Sequence, residues 1–484
     1  MVTRRRLLGT GLAAAGVGLT GASFTPLLAV DRAKASPAKA AKAANPPLFA
    51  VPLPKMPVLR PTFRTATADH YDVTMRPARR EILPGIQTDL LTFDGNFPGA
   101  TIKARTGRPV IVRQRNKLAV PTSVHLHGAS VTQANDGDPM DTLAPGGERL
   151  YTYPNKQSHA SLWYHDHAHH VESENVYRGL HGSYLLTDSL EESLPLPKGE
   201  YDVVLAIRDA HFDAAGQLVY VMDDQERTTL LVNGAPYPYF QVAARKYRLR
   251  FANMSNQRFY SLRLADGSDI VQVGSDGGLL ERPHTTSSFL LSPGERVDAV
   301  VDFSRYAVAE KVVLENTLIF AGTPEQVGQV MRFDVVRTAP DPSSVPEVLR
   351  TLPALPAPTN ERTITMQMDE GVAHPKGYMD GKSYDPARVD SSIRFGASEI
   401  WTVTNTNTRV PHNFHMHLVQ FRVLERAGKP PAPGEAGLKD TVIVAAGETV
   451  KLQATFDSYR GTYLYHCHML DHSAMGMMAT MKIS

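Results

Sequence analysis

The sequence contains very little cysteine: Cys467 is the only one among 484 residues. A single cysteine cannot form a disulfide within the chain, so the fold cannot depend on disulfide bridges. Free thiols are vulnerable to oxidation, so a lone one needs a reason to be kept. Cys467 is therefore either a buried, inert side chain or a residue with a chemical role.

Long apolar runs and an excess of basic residues are also missing beyond the N-terminus. No later segment approaches the roughly 20 apolar residues of a membrane-spanning helix. The formal net charge is +2, but without residues 1–35 it becomes −2. We therefore expect no stable membrane insertion and no nucleic-acid partner.

Residues 1–35 predict a twin-arginine signal peptide. Arg4 and Arg5 precede an apolar, Gly/Ala-rich run that extends to about Val30, and "AKA" at 33–35 is typical of a peptidase site. An N-terminal membrane anchor is the alternative, although Gly, Thr and Ser interrupt the run. We expect export by the twin-arginine route to the periplasm or the extracellular space, with residues 36–60 as a flexible lead-in.

The rest of the chain predicts an all-β protein. Short runs with alternating or β-branched residues are separated by turn residues, and no long amphipathic helix is apparent. Stacked short strands of this kind are typical of sandwiches or small barrels. The clearest predicted strands are 108–116, 201–209, 246–253, 296–303, 399–406 and 449–456.

A weak internal repeat predicts three related β domains. "APGGERLYTY" (144–153), "SPGERVDAVVDF" (292–303) and "AAGETVKLQATF" (445–456) share a Gly/Glu turn that enters a strand. The first and third copies precede a histidine cluster, whereas the middle copy does not. We predict domains at 61–195, 196–340 and 341–484, with the chemistry in the outer two.

Eight of the 18 histidines form four His-x-His pairs, two in the first domain and two in the third. On a strand, residues i and i+2 point to the same face, so each pair presents two imidazoles to one side. An isolated pair would be weak evidence, because half-buried histidines are common. The four pairs are His125/His127, His165/His167, His415/His417 and His466/His468.

Eight imidazoles exceed the needs of any single ion, since one zinc takes only three or four ligands. Neutral histidine favours Cu, Zn, Fe or Ni. Three coppers that share eight histidines would leave open positions for a small molecule such as O2.

Cys467 lies between His466 and His468, so its side chain faces the opposite side of the strand. With His412, His472 and Met477 it completes the His2Cys-plus-Met set of a blue copper electron-transfer site. One strand would then carry a mononuclear copper on one face and cluster ligands on the other. The covalent link from Cys467 to its two histidine neighbours is a short electron path.

At these residues the chain resembles the multicopper oxidase family, which includes laccases, bacterial spore-coat laccases, bilirubin oxidases and periplasmic cuprous oxidases. All four histidine blocks match, and weaker similarity covers roughly residues 65–484. The resemblance implies three cupredoxin-like Greek-key β-barrel domains and four copper ions: one type 1, one type 2 and two type 3. It also implies one-electron oxidation of four donor molecules for each O2 that is reduced to water.

The resemblance also assigns ligands to each copper ion. It assigns the type 1 copper to His412, Cys467, His472 and Met477, and the type 2 copper to His125 and His415. The type 3 pair would be held by His127, His165, His167, His417, His466 and His468.

Two positions bear on proton supply. Asp136 stands where the family has a relay aspartate, although an acid beside Gly137 could also be a plain turn residue. Many bacterial members carry Glu directly after the second type 1 histidine, where this chain has Ser473. A serine can position water but is no proton reservoir near neutral pH.

The donor is expected to be a small aromatic reductant, a phenol or aminophenol, with Cu(I) as the alternative. Methionine is scattered, and "NTNTRVPH" before His412 contains no acid, which argues against a cuprous oxidase. A copper-binding protein without turnover and a copper-free structural member also remain open. We expect the protein to be a monomer.

Overall fold

The computed structural model describes residue 43 and residues 45–484. The predicted signal peptide at 1–35 lies outside the described residues. The prediction of a flexible lead-in is wrong for its described part, because backbone amides of Phe49 and Leu53 donate to the carbonyls of Tyr237 and Tyr239. Leu59 donates likewise to Thr101. No helix in the described part has the length and apolarity to cross a membrane.

The first two sheets enclose one apolar core. One has the strand order β1-β2-β5-β7, with β3 also paired to β2, and the other has the order β4-β9-β8-β6. The strands are β1 (Phe63–Arg64), β2 (Asp69–Glu81), β3 (Gln87–Phe93), β4 (Gly99–Arg105), β5 (Val110–Asn116), β6 (Val124–His127), β7 (Glu148–Tyr153), β8 (Ala160–Asp166) and β9 (His181–Thr187).

A seven-stranded and a five-stranded sheet follow, with a second core between them. Their strands are β10 (Asp202–Ala210), β11 (Thr229–Val232), β12 (Ala235–Pro236), β13 (Tyr239–Ala244), β14 (Lys246–Asn253), β15 (Tyr260–Leu264), β16 (Ile270–Ser275), β17 (Gly278–Thr286), β18 (Ser288–Leu291), β19 (Arg296–Asp302), β20 (Lys311–Asn316) and β21 (Gln329–Thr338).

Two five-stranded sheets with a third core end the chain, in the orders β23-β22-β25-β29-β27 and β24-β31-β30-β26-β28. Their strands are β22 (Asn360–Met368), β23 (Gly377–Met379), β24 (Ser391–Ile393), β25 (Ser398–Asn405), β26 (His412–Met416), β27 (Phe421–Arg426), β28 (Thr441–Val444), β29 (Thr449–Thr455), β30 (Gly461–Cys467) and β31 (Met478–Ile483).

Helices are short throughout the described chain, as expected. The α-helices are α1 (Glu172–Tyr177), α2 (Ser189–Ser193), α3 (Pro324–Val327) and α4 (Leu470–Ala474). Single 3-10 turns lie at Gln133–Asn135, Gly199–Tyr201, Phe303–Arg305 and Pro433–Glu435. Helix α1 packs against α4, although almost 300 residues separate them.

The repeat predicted from the Gly/Glu turns is a repeat of topology. The turns lead into β7, β19 and β29, each of which pairs antiparallel with the strand before it in the sheet. That strand pairs parallel with the first long strand of its own sheet: β2 with β5, β10 with β14 and β22 with β25. The three sheet pairs lie within the predicted domain ranges, whose exact boundaries stay predictions.

Candidate metal centres

The four histidine pairs lie at the ends of four strands in two separate sheets. In the first, β6 and β8 run antiparallel with His125 opposite His165. In the second, β26 and β30 run antiparallel with His415 opposite His466. The second member of three pairs lies just beyond its strand end, so each pair can turn both rings toward the same space.

All eight paired imidazoles are buried, each no more than 1% exposed. Burial is the main reason that their pKa values are lowered, to about 3 for His165 and about 4 for His167. Neighbouring histidines add to the effect for several of the others, such as His415. Neutral imidazoles at pH 7 have a free lone pair, as metal ligands must.

His125 and His415 share one pattern of contacts. The Nδ1 atom of His125 lies 2.5 Å from the carbonyl oxygen of Asp136, and that of His415 lies 2.8 Å from the carbonyl oxygen of Asp440. Each Nδ1–H can therefore donate to the backbone, which leaves Nε2 as the lone-pair atom. Both Nε2 atoms are buried and have no hydrogen-bond partner among the described residues.

The other six paired histidines form two groups of three. His468 Nε2 lies 3.1 Å from His127 Nδ1 and 3.4 Å from His165 Nε2. In the second group, His466 Nε2 lies 3.3 Å from His167 Nε2 and 3.2 Å from His417 Nε2. Each group takes histidines from both sheets, so neither sheet alone completes a group.

The eight histidines thus divide into one pair and two groups of three, and this division fits a cluster of three metal ions. His125, His127 and His165 have ligand atoms within 4.8 Å of one another, as do His167, His417 and His466. Imidazole nitrogens that converge without a proton between them are a natural donor set for copper. The fit rests on these convergent, partly unpartnered nitrogens.

Behind His127 lies a buried ionic network. Its Nε2 atom is 2.9 Å from Asp440 Oδ1, so the ring can donate there and turn Nδ1 toward the cluster. Arg296 Nη1 in turn donates to Asp440 Oδ1 at 2.8 Å. Sequence reasoning missed both residues, because neither belongs to a histidine motif. Arg296 even lies in the middle domain, which has no histidine pair.

A separate group surrounds the lone cysteine on the other face of β30. Cys467 Sγ lies 3.7 Å from the Nδ1 atoms of His412 and of His472, and those two nitrogens lie 3.1 Å apart. Burial raises the pKa of the thiol to about 12 and lowers that of His472 to about 3. The alternative that Cys467 is an inert core residue does not explain why two imidazoles point at its sulfur.

Met477 is close to this group through its backbone. The amide of Cys467 donates to the carbonyl of Met477 at 3.1 Å, and the amide of Met477 donates to the carbonyl of His472 at 3.1 Å. The His412 ring is fixed by Asn407, whose Oδ1 lies 2.9 Å from its Nε2. The arrangement is that of two histidines and a cysteine with a buried methionine beside them.

Asp136 is buried beside the cluster rather than exposed in a plain turn. Its Oδ2 lies 2.7 Å from His417 Nδ1, and its Oδ1 has no partner among the described residues. Burial and the nearby Asp138 raise its pKa well above the ordinary value. The contact orients His417, and the relay role of Asp136 stays a prediction.

A cavity of about 330 Å³ opens beside His472. Its lining includes the acids Asp223, Asp369 and Glu370 and the apolar side chains of Phe320 and Val372. The segment before His412 has no acid, as noted above, but the fold brings three acids to this place from distant segments. Sequence spacing could not reveal them.

Other histidines, apart from His412 and His472, have contacts of a different kind. His159 contacts Asp188 Oδ2 through Nδ1 at 2.8 Å and accepts from the amide of Leu279 through Nε2. His169 stacks on His170 at the rim. These contacts hold His159 and His169 in place without a metal ion.

Comparison with known proteins agrees with this geometry. Family models described as multicopper oxidase match residues 74–191, 202–324 and 356–484. The chain is 34% identical to a laccase of Bacillus subtilis (strain 168), over 90% of this chain and 98% of the laccase. It is 36% identical to a bilirubin oxidase of Albifimbria verrucaria, over 90% of this chain and 81% of that enzyme.

Solved structures show the same likeness. The crystal structure of a laccase from Pediococcus acidilactici Pa5930 has a TM-score of 0.84 and 31% identity, with 92% of this chain and 96% of that chain covered. A multicopper oxidase from Campylobacter jejuni, described as a metallo-oxidase, has a TM-score of 0.81 and 25% identity over 92% and 98%. The three cupredoxin-like domains are confirmed, and this chain belongs to the multicopper oxidase family.

Proposed function

We propose that this laccase-like oxidase takes single electrons from phenolic or aminophenolic donors at the cavity beside His472. The cofactor is copper, and the family binds four ions. Bound copper supplies the one-electron steps and the place where O2 is reduced. Four donors each lose one electron, and O2 takes up four electrons and four protons to give two waters. The observation that carries the proposal is Cys467, which joins the donor side to the eight-histidine cluster.

The ligand assignment that fits best follows the grouping of the side chains. His412, Cys467, His472 and Met477 would hold the type 1 copper, and His125 and His415 the type 2 copper. One type 3 ion would have His127, His165 and His468, and the other would have His167, His417 and His466. Support comes from the convergent nitrogen atoms in each group.

Electrons have a short route between the two sites. Cys467 is bonded through the backbone to His466 and His468, which belong to different groups of the cluster. A second connection runs from His466 Nδ1 to the carbonyl oxygen of Cys467 at 2.9 Å. The same strand therefore supports electron transfer through bonds and through a hydrogen bond.

The cavity beside His472 suits one small aromatic ring. Its volume is at the lower end of the range for small-molecule sites, and Phe320 and Val372 offer apolar contact. Its acids favour donors with an amino group that carries positive charge. Glu370 accepts from Thr408 Oγ1 and from the amides of Arg409 and Val410, whereas Asp223 Oδ1 accepts from Gln225 Nε2 at 3.2 Å, so Asp223 has fewer such contacts.

Oxidation of Cu(I) or another reduced metal ion is the second candidate. It is favoured by the same three acids beside His472, since carboxylates bind cations. It is weakened by the hydrogen bonds that Asp369 accepts from the Lys376 amide and from Tyr378 at 3.2 Å each. Few carboxylate oxygens are then left for a metal ion.

O2 uptake by the copper-loaded protein separates the two candidates. The assay compares four donors, phenol, aminophenol, bilirubin and Cu(I), at concentrations that supply the same number of electrons. The Asp223→Asn variant probes the role of the cavity. We expect phenols and aminophenols to be oxidised faster than Cu(I), and Asp223→Asn to raise KM for aminophenol only. Dominant Cu(I) turnover with negligible phenol oxidation would overturn the choice of donor.

The Cys467→Ser variant tests whether Cys467 joins the donor side to the histidine cluster. The variant should lose the intense blue absorption and nearly all donor oxidation, and should retain three of four coppers because the cluster ligands are untouched. Its control is Ser392→Ala on β24, an exposed residue that belongs to none of the ligand groups. Blue colour that survives in Cys467→Ser refutes the type 1 assignment.

Export and oligomeric state complete the proposal. The basis for export is the sequence of residues 1–35, which resembles a twin-arginine signal. Replacement of Arg4 and Arg5 by Lys should retain the protein in the cytoplasm, and unchanged export would contradict the route. A monomer is expected, and a larger mass in sedimentation would contradict it.

A further inference from the structure

The reduction of O2 to two waters requires four protons at a cluster whose histidines are all buried. Ser473, the residue after His472, is buried on α4 and cannot release a proton near neutral pH. A proton donor near this end of the cluster must then come from another part of the chain.

Glu172 is the carboxylic acid that contacts Ser473. It is the first residue of α1 and is only 1% exposed. Its Oε1 atom accepts a hydrogen bond from Ser473 Oγ at 3.2 Å, although the two residues are 301 positions apart. Its Oε2 atom is buried and has no hydrogen-bond partner among the described residues.

Several charged and titratable groups face Glu172. Asp166 on β8 and Asp471 on α4 each disfavour a second negative charge, as does burial, which is the main cause. Tyr384, in the segment after β23, is also close enough to feel the charge of Glu172. The pKa of Glu172 is raised to about 8, so its side chain is a neutral acid at pH 7.

Helix α1 is tied to the ligand segment of β8. Asn175 Nδ2 donates to Asp166 Oδ2 at 2.9 Å, and Asp166 lies between His165 and His167. On the outer side, the ring of Tyr384 contacts His169, which stacks on the exposed His170. Glu172 therefore lies on a helix that is bonded to the ligand segment of β8, and it faces Tyr384 on the side of the rim residues.

We propose that Glu172 supplies protons for O2 reduction in this chain, in the place where residue 473 has no acid. The inference rests on the proposed function, since it needs O2 reduction at the histidine cluster. Each time it acts, the neutral carboxyl group releases one proton toward the cluster and becomes a carboxylate, and four protons are consumed for each O2. A proton from solvent, arriving from the Tyr384 side, restores it; the electrons come only from the donor.

Glu172→Gln is the first test, because the amide has the same shape and can still accept from Ser473. Anaerobic bleaching of the blue band by donor should keep its normal rate, whereas reoxidation by O2 should slow about 100-fold or more. Glu174→Gln on the same helix, where the partly exposed Glu174 pairs with Arg178, is the control and should change neither rate. Normal reoxidation in Glu172→Gln overturns the proposal.

An exchange of the two side chains distinguishes proton supply from simple support. Glu172→Ser alone should slow reoxidation as Glu172→Gln does. The double variant Glu172→Ser with Ser473→Glu keeps one carboxyl and one hydroxyl across the same contact, and should recover at least a tenth of the normal rate. If both variants reoxidise alike, Glu172 is a structural residue.

Infrared titration of the metal-free protein provides a readout that does not depend on turnover. Wild type should lose a protonated carboxyl band near pH 8, and Glu172→Gln should lack that band. A missing band in wild type overturns the proposal. Failure of the proposed function looks different: the blue band of wild type would then not be bleached by any aromatic donor.

Discussion

Two turns of related sequence have very different surroundings. In the turn at 292–295 the side chain of Glu295 accepts from the amide of Ser292, and in the turn at 445–448 Glu448 accepts from that of Ala445. A Cβ atom on Gly447 would meet nothing within 4 Å. One on Gly294 would lie 2.8 Å from Nδ1 of His468 and 3.1 Å from Cε1 of His127.

The middle repeat, which has no histidine pair, is therefore the one that lies against the cluster. Arg296, just after its turn, donates to Ser161 O at 2.8 Å and to Asp440 Oδ1 at 2.8 Å, and its own domain offers Gly294 O at 2.6 Å. One side chain thus bonds to all three β domains. Through Arg296 the middle domain holds Asp440, and thereby His127, in position.

The largest effect is expected for Arg296→Met. It removes the positively charged partner of the buried Asp440 carboxylate, which costs about 3–5 kcal/mol of unfolding free energy. Urea unfolding and copper content measure the loss. Arg426→Met is the control, since Arg426 pairs with Glu448 at the third turn and with Glu435 in a more exposed place, and its loss should cost less, about 1–2 kcal/mol. Equal losses would remove the distinction between the turns.

Gly294→Ala should have the next largest effect. The residue has φ of +86°, and the added methyl group would also press on two cluster histidines. Left-handed strain and overpacking together should cost about 2–4 kcal/mol. Copper analysis should find the cluster ions depleted while the blue band persists. A variant with four coppers and normal stability would contradict the positioning role.

Asn413→Ala tests the contact between the middle turn and β26. The Asn413 amide donates to Pro293 O at 2.6 Å and to Ser292 Oγ at 3.1 Å. Because both acceptors are buried, their loss should cost about 1–3 kcal/mol in urea unfolding. No change in stability would mean that this contact does not hold the domains together.

Gly447→Ala should have the smallest effect. Its φ of +72° gives a backbone strain similar to that at Gly294, but the methyl group would enter open space. We expect a cost of about 1 kcal/mol in unfolding free energy and unchanged copper content. Loss of cluster copper here would show that strain alone explains the Gly294 result.

Local patterns in the sequence were enough to predict the strands and the ligand-bearing segments. The strand predicted at 246–253 has those bounds in the structure, and the run predicted at 449–456 forms Thr449–Thr455. The two-residue period of a strand accounts for paired histidines on one face of β30 and Cys467 on the other. These features depend only on neighbours in sequence.

Contacts between distant segments could not be predicted. Arg296 and Asp440 are 144 residues apart, and Glu172 and Ser473 are 301 apart. Neither pair has a spacing or motif that marks it, because the contact exists only once the domains have packed. The acids beside His472 were missed for the same reason.

The ratio of donor electrons to O2 tests the central claim most directly. Copper-loaded protein is given a one-electron phenolic donor, and O2 uptake, donor radical and H2O2 are measured together. Four donor electrons per O2 with no H2O2 is the result we predict, since electrons that enter beside Cys467 reach a cluster that reduces O2 to water. Two electrons per O2 with an equal amount of H2O2 would contradict the account.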